Sequence, residues 1–172
     1  MTAPFRIEAL AQHDRAGFSC GDDALDHYFK ALVTQDVRRH VANCFVAVET
    51  ATSVLAAFYT IAAAGMPMLD LPPDITKRLP RYPSLPAVRV GRLAVDHRFQ
   101  GQGLGGALLA DAAAKALTEP AAAFALLVDA KNDAAVAFYE HHGFHRFASQ
   151  PRVLFLPLAT AAKALAAVRR PR

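Results

Sequence analysis

VGRLAVDHRFQGQGLGGALLADAAAKAL, residues Val90 to Leu117, runs an apolar segment into a glycine-rich loop and then into a helix-forming segment without interruption. Val90, Leu93 and Val95 give the first part strand character. Gly101, Gly103, Gly105 and Gly106 free the backbone to turn sharply, with its N–H groups converging on one point. Helix formers from Ala107 to Leu117 begin at the last glycine. A helix N-terminus carries unpaired N–H groups and a partial positive charge, so loop and helix together make a cradle for an anion, phosphate first among them.

Three kinds of loop share this outline. The phosphate loop of nucleotide hydrolases needs Lys and then Ser or Thr after its last glycine, and Ala107 and Leu108 stand there instead. The dinucleotide fingerprint G-x-G-x-x-G is matched by Gly101, Gly103 and Gly106, with Asp129 ending a later apolar run where a ribose-binding acid belongs. Its first glycine should follow the strand at once, however, whereas Asp96 to Gln100 intervene. The third kind accounts for more residues. Gln100-Gly101-Gln102-Gly103-Leu104-Gly105 fits Q/R-x-x-G-x-G/A, preceded by Leu93-Ala94-Val95-Asp96, and Asn132, Ala135, Phe138-Tyr139 and Gly143-Phe144 fit N-x-x-A-x-x-F-Y-x-x-x-G-F. These two blocks, in this order, resemble the coenzyme A site of the GNAT superfamily of acetyltransferases.

That resemblance implies an α/β (α+β) GNAT fold, with a mixed central sheet of about six to seven strands and helices on both faces. It implies acetyl-CoA as cofactor, bound by Leu93, Ala94, Val95, Gln100, Gly101, Gln102, Gly103, Leu104, Gly105, Gly106, Asn132 and Phe138. Pantetheine would run along the end of the Leu93 to Val95 strand as an added strand, whose backbone donors could also polarise the thioester carbonyl. The phenol of Tyr139 is implied as the general acid that protonates the departing thiolate.

Length and composition are compatible with this. A chain of 172 residues suits one domain, 1–172. No uninterrupted apolar run approaches the length of about 20 residues that a membrane span needs, and MTAPFRIEAL has no export-signal pattern, so a cytoplasmic protein without a membrane partner is expected. Cys20 and Cys44 lie far apart without metal-spaced companions, which argues for reduced thiols and no metal site. A formal charge of +4 and a pI near 9.3 suit an anionic partner.

In chain order, Phe5 to Leu10 reads as a strand and Asp22 to His40 as a helix, with Leu25, Tyr28, Phe29, Leu32 and Val33 on one apolar face. Its cations Lys30, Arg38 and Arg39 are either a solvated face or a rim for a polyanion. Cys44 to Val48 and Val54 to Ala63 read as a hairpin. Met66 to Pro86 is a proline-rich but ordered excursion, with a short helix at Asp74 to Leu79. Lys77, Arg78, Arg81, Arg89 and Arg92 form the densest basic cluster, five cations within sixteen residues. Ala123 to Val128 is a strand and Asn132 to His142 a helix stopped by Gly143. Phe144 to Phe147 with Val153 to Leu156 make a last strand pair, Ala159 to Val168 a last helix, and Arg169, Arg170 and Arg172 a basic tail.

The central strand from Ala87 to Val95 holds no Asp or Glu to act as a base, so the substrate amine should need little help. At pH 7 a lysine amine with pKa about 10.4 is neutral in roughly one molecule in 2,500, whereas an α-amine near about 7.8 is neutral in roughly one in seven. Phe18-Ser19-Cys20-Gly21 with Leu25-Asp26, Gly91 to Asp96, Gly101 to Gly105, Asp129 to Asn132 and Phe138-Tyr139-Glu140 are, more narrowly, similar to the GNAT toxins of bacterial type II toxin–antitoxin pairs. This similarity implies acetyl transfer to the α-amine of aminoacyl-tRNA, a ribbon-helix-helix antitoxin and a homodimer. It also implies that Arg78, Arg89 and Arg92 meet the RNA, and Arg38, on the possible rim of the first helix, is taken with them as an expected RNA contact. The alternatives are an acetyltransferase of a small amine or protein N-terminus, and a coenzyme A-binding module without turnover.

Overall fold

The computed structural model describes residues 3–169; Arg170 and Arg172 of the anticipated basic tail lie outside that range. The described residues divide into two compact units, one formed by 3–62 and 91–111, the other by 63–90 and 112–169. Strand β3 (Leu55–Pro67) and strand β4 (Ser84–Val95) run through both.

In the first unit, β1 (Phe5–Ala9) pairs antiparallel with β2 (Asn43–Glu49), and β2 pairs antiparallel with β3 through a turn in which Ser53 adopts a left-handed φ of 61°. The anticipated helix from Asp22 to His40 is three pieces: α1 (Asp23–His27), a π-helical turn at Tyr28–Leu32 and α2 (Val33–Arg38). Asp22 caps α1 by accepting from the Leu25 amide at 3.1 Å, and His40 leaves the helix at a φ of 58°. The wider π turn shifts the phase of the apolar stripe. Tyr28, Phe29 and Val33 are buried, but Leu32 swings out to 40% exposure. The core is aromatic: Phe29 and Phe58 stack at 4.2 Å, and Phe18 meets both edge-on.

In the second unit, β4 pairs in parallel with β5 (Ala125–Asp129), and β7 (Val153–Pro157) pairs antiparallel with both β5 and β6 (His145–Arg146). A parallel pair needs a long crossover, which helix α4 (Leu104–Thr118) supplies. Helix α5 (Asp133–His141) follows β5 and ends where Gly143 takes a φ of 89°, the left-handed stop anticipated there. Helix α6 (Leu158–Arg169) closes the described chain and packs beside β5 and β7. Phe147 and Phe155 stack within a core that includes Met66, Leu71, Leu85 and Leu127.

The strand order β1-β2-β3-β4-β5-β7-β6 makes a mixed sheet of seven strands, in keeping with the anticipated fold. The proline-rich excursion is shorter than its composition suggests. Strand β3 continues to Pro67 because Met66 is fully buried, and β4 already begins at Ser84. A 3-10 turn (Met68–Asp70) and α3 (Pro73–Thr76) lie between them. Helix α3 starts at Pro73, whose fixed φ suits a first helical position, and stops short of the anticipated Leu79 because Pro80 biases the residue before it away from helical geometry.

Candidate active site

The glycine loop and the end of β4 belong to the first unit. Residues paired with β5 end at Val90, so Gly91–Val95 run on beyond that ladder. Ala94 is buried, while Leu93 and Val95 are half-buried. The chain then bends through Asp96 and a 3-10 turn (His97–Phe99) into the loop. Gly101 and Gly103 adopt φ values of 77° and 78°, and a Cβ at either would meet no atom within 4 Å. Their requirement for glycine is therefore one of backbone conformation, facing open space in which a ligand can lie.

One expectation is corrected here. Helix α4 begins at Leu104 and not at Ala107, so Gly105 and Gly106 are its first turn and only Gly101 and Gly103 make the bend. Glycine disfavours a helix by about 1 kcal/mol per residue. Burial of Leu104, Leu108, Leu109, Ala112, Ala113 and Ala116 along one face outweighs it. The cradle thus consists of exposed Gly101, Gln102 and Gly103 followed by the free amides of Leu104, Gly105 and Gly106.

Gln100 does something its motif does not reveal. Its side-chain amide donates to the Val95 carbonyl at 2.9 Å and to the Cys20 carbonyl at 3.1 Å, tying the loop to the end of β4. Asp96, fully buried, accepts from the Arg98 guanidinium twice at 2.9 Å, from the Arg98 amide at 2.9 Å and from the Ser19 amide at 3.1 Å. Burial opposes its charge, but these donors prevail and hold the carboxyl at about 2.

Tyr139 belongs to the second unit. Asn132 caps α5 by accepting from the Ala135 amide at 2.9 Å, so the Asn132 to Ala135 spacing of this block has a structural component. Two turns on, the Tyr139 ring is 8% exposed and packs edge-on to Phe138 at 5.2 Å and tilted against Phe144 at 5.5 Å. Burial, and secondarily the charge of Asp129, pushes the phenol up to about 12. Among the described residues nothing hydrogen-bonds to its hydroxyl, so the ring is enclosed and the phenol keeps its proton unshared. A protonated phenol presented in this way can give its proton to a leaving group.

The four basic residues differ in their surroundings. Arg38 ends α2 and Arg78 follows α3, both exposed. Arg89 forms an ion pair with Asp129, which neutralises it in place. The guanidinium carbon of Arg92 lies over the Tyr28 ring, 3.7 Å from its centroid. Tyr28 and Asp96 are the residues the sequence reading missed: Tyr28 was one more member of an apolar stripe, and nothing in LAVDHR distinguishes a buried carboxylate from a loop one. The separation of Tyr28 and Asp36 by eight residues, about two helical turns, was the available signal for the former. Among the described residues no cluster of His, Cys, Asp or Glu could hold a metal ion, and both cysteines are free.

A glycine-bounded anion cradle at a helix start in the first unit and a protonated phenol in the second are each features of an acyl-transfer enzyme of the α/β class. The acetyltransferase (GNAT) domain family matches residues 78–154. A tRNA-acetylating toxin of Mycobacterium tuberculosis is 32% identical over 162 residues, covering 93% of this chain and 94% of that protein. The chain belongs to the GNAT superfamily of acetyltransferases and is an acetyltransferase. Among solved structures it is similar to a tyrosine-to-phenylalanine mutant of KacT, with a TM-score of 0.87, 28% identity and coverage of 94% of this chain and 99% of that one. It is similar also to AtaT complexed with acetyl-methionyl-tRNAfMet, with a TM-score of 0.83, 26% identity and coverage of 96% and 99%. AtaTR bound with AcCoA and a KacTA–DNA complex are further likenesses, each with a TM-score of 0.78 and 26% identity. No helix among the described residues is long and apolar enough to cross a membrane.

Proposed function

We propose that this enzyme transfers the acetyl group of acetyl-CoA to the α-amine of an amino acid esterified to tRNA, and so acts as a translation-blocking toxin. The observation that carries the reading is likeness over nearly the whole chain to a tRNA-acetylating toxin and to AtaT complexed with acetyl-methionyl-tRNAfMet. The residues agree with it. Gly101, Gln102 and Gly103 with the amides of Leu104, Gly105 and Gly106 hold the pyrophosphate, Gln100 fixes their position, and Leu93, Ala94 and Val95 take pantetheine along the strand segment beyond the β5 ladder. Asn132 and Phe138 frame the helix that carries the acid.

The neutral amine attacks the thioester carbonyl, backbone N–H groups of β4 stabilise the oxyanion, the Tyr139 phenol protonates the sulfur as the C–S bond breaks, and the surplus proton on the new amide nitrogen leaves through water to restore the phenol. Arg38, Arg78 and Arg92 receive RNA phosphates; Arg89, already paired with Asp129, contributes least. An antitoxin of the ribbon-helix-helix type, a homodimeric assembly, a single catalytic domain and a cytoplasmic site of action complete the proposal. It is tested by incubating bulk charged tRNA with radiolabelled acetyl-CoA. Alkali-labile label that is released as N-acetyl amino acid supports the reading, and label transferred only to free amines overturns it.

A further inference from the structure

Resting on that reading, we infer that Tyr28 is a positioning residue which holds Arg92 rigid and un-neutralised, so that its guanidinium meets a phosphate of the tRNA substrate as a preformed fork. Among the described residues most paired arginines are held by carboxylates: Arg6 by Glu8, Arg89 by Asp129, Arg98 by Asp96 and Arg146 by Glu140. A carboxylate immobilises a guanidinium but cancels its charge and occupies its donors. Arg92 is held differently. Its guanidinium carbon lies 3.7 Å from the centroid of the Tyr28 ring, and among the described residues it pairs with no carboxylate. An aromatic face attracts the cation and fixes its plane, yet it leaves the N–H edge and the whole charge available.

The support beneath the ring is itself fixed. Tyr28 is 4% exposed and donates its hydroxyl to Asp36 at 2.8 Å. It opens the π-helical turn, and the Val33 amide reaches back to its carbonyl. Such turns recur where a side chain has to be aimed. From the other side, the Arg92 amide donates to Thr60 Oγ1 at 3.0 Å, which anchors the backbone. The neighbouring Gly91 leaves that hydroxyl room, since a Cβ there would sit 3.2 Å from it. The supporting Tyr28 ring and the backbone and side chain of Arg92 are thus all constrained, while the arginine stays exposed. Phosphate, which takes a planar fork bidentately, is the ligand this arrangement suits.

The test compares Tyr28→Leu, Tyr28→Phe, Arg92→Lys, Arg92→Ala and the double variant Tyr28→Leu with Arg92→Ala. Acetyl transfer is followed to bulk charged tRNA and to an amino acid methyl ester, which has the same amine and no phosphate. Expected are a rise of about fivefold to tenfold in KM for charged tRNA with Tyr28→Leu and Arg92→Lys, and near-wild-type behaviour for Tyr28→Phe, which keeps the face. KM for the ester and for acetyl-CoA stays unchanged, and the double variant is no worse than Arg92→Ala alone. Equal losses on ester and tRNA, or additive losses in the double variant, overturn the inference and leave Tyr28 a plain core residue. Should Tyr28→Leu not fold, unchanged KM for tRNA in Arg92→Lys overturns it instead. Wild-type protein that acetylates the ester but never charged tRNA refutes the underlying function, a different outcome from either.

Discussion

Burial decides how Tyr139 can act. The ring is enclosed by Phe138 and Phe144 and the phenol is pushed up to about 12, first by desolvation and then by Asp129. A group whose acidity is weakened in this direction keeps its proton throughout the range in which the enzyme works, which is the state a general acid has to start from. It is a poor donor to water but a sufficient one to a thiolate formed in the same desolvated surroundings, whose own affinity for a proton is raised by the same cause. Tyr139→Phe should therefore lower kcat by about a hundredfold while leaving KM for acetyl-CoA unchanged. In the wild type, kcat/KM should rise as the pH passes the titration of the substrate α-amine, near about 7.8, and should show no descending limb below about pH 10. A fall centred near pH 9 would assign the proton to some other group.

At the scale of elements, Asp96 is the joint between β4, the 3-10 turn and the segment that precedes α1. Its carboxylate collects the Ser19 amide and both the amide and the guanidinium of Arg98, and His97 returns an amide to the Ser19 carbonyl at 2.8 Å. The folded-state carboxyl lies at about 2 against an ordinary 3.8, so the unfolded chain takes up a proton first as the pH falls. The associated stability is complete above about pH 4 and is lost as the pH drops through about 2. It is worth about 2 kcal/mol. Asp96→Asn should lower the Tm at pH 7 by about 4 to 8 °C, and the difference from wild type should shrink in melts run toward pH 2. The same joint shows what sequence can carry. Glycine spacing, the proline at the start of α3 and the glycine after α5 each report a backbone requirement that is local; they placed the bend at Gly101 and Gly103, the start of α3 and the end of α5, but not the start of α4, which burial of Leu104 and Leu108 decided. Asp96, Gln100 and Tyr28 take their roles from partners 77, 80 and 64 positions away, Ser19, Cys20 and Arg92, which no local pattern records. The π turn was hidden for a related reason, because one inserted residue per turn preserves composition and changes only phase.

At the scale of the molecule, two ligand-linked quantities separate the proposed chemistry from its rivals. Acetyl-CoA binds only the folded protein, so at a hundred times its Kd it should add about 2.7 kcal/mol, and for a chain of this length raise the Tm by roughly 5 to 10 °C, whereas NAD should not. The second quantity is salt dependence. The net charge of +4 says little by itself, because several arginines are spent on carboxylates. Arg38, Arg78 and Arg92 are exposed and, among the described residues, have no carboxylate partner, so these three proposed contacts would neutralise about three phosphates. Each displaced counterion contributes a slope of about 0.7 to 0.9 in the logarithm of affinity against the logarithm of salt. Between 50 and 200 mM salt the affinity for charged tRNA should thus fall about 20- to 40-fold. Under the same conditions, with acetyl-CoA saturating, transfer to an amino acid methyl ester should change by less than about twofold, since no phosphate of that acceptor is involved. A tRNA affinity that is flat across this range would mean that the cationic surface does not meet the nucleic acid, and the substrate would then have to be sought among small amines.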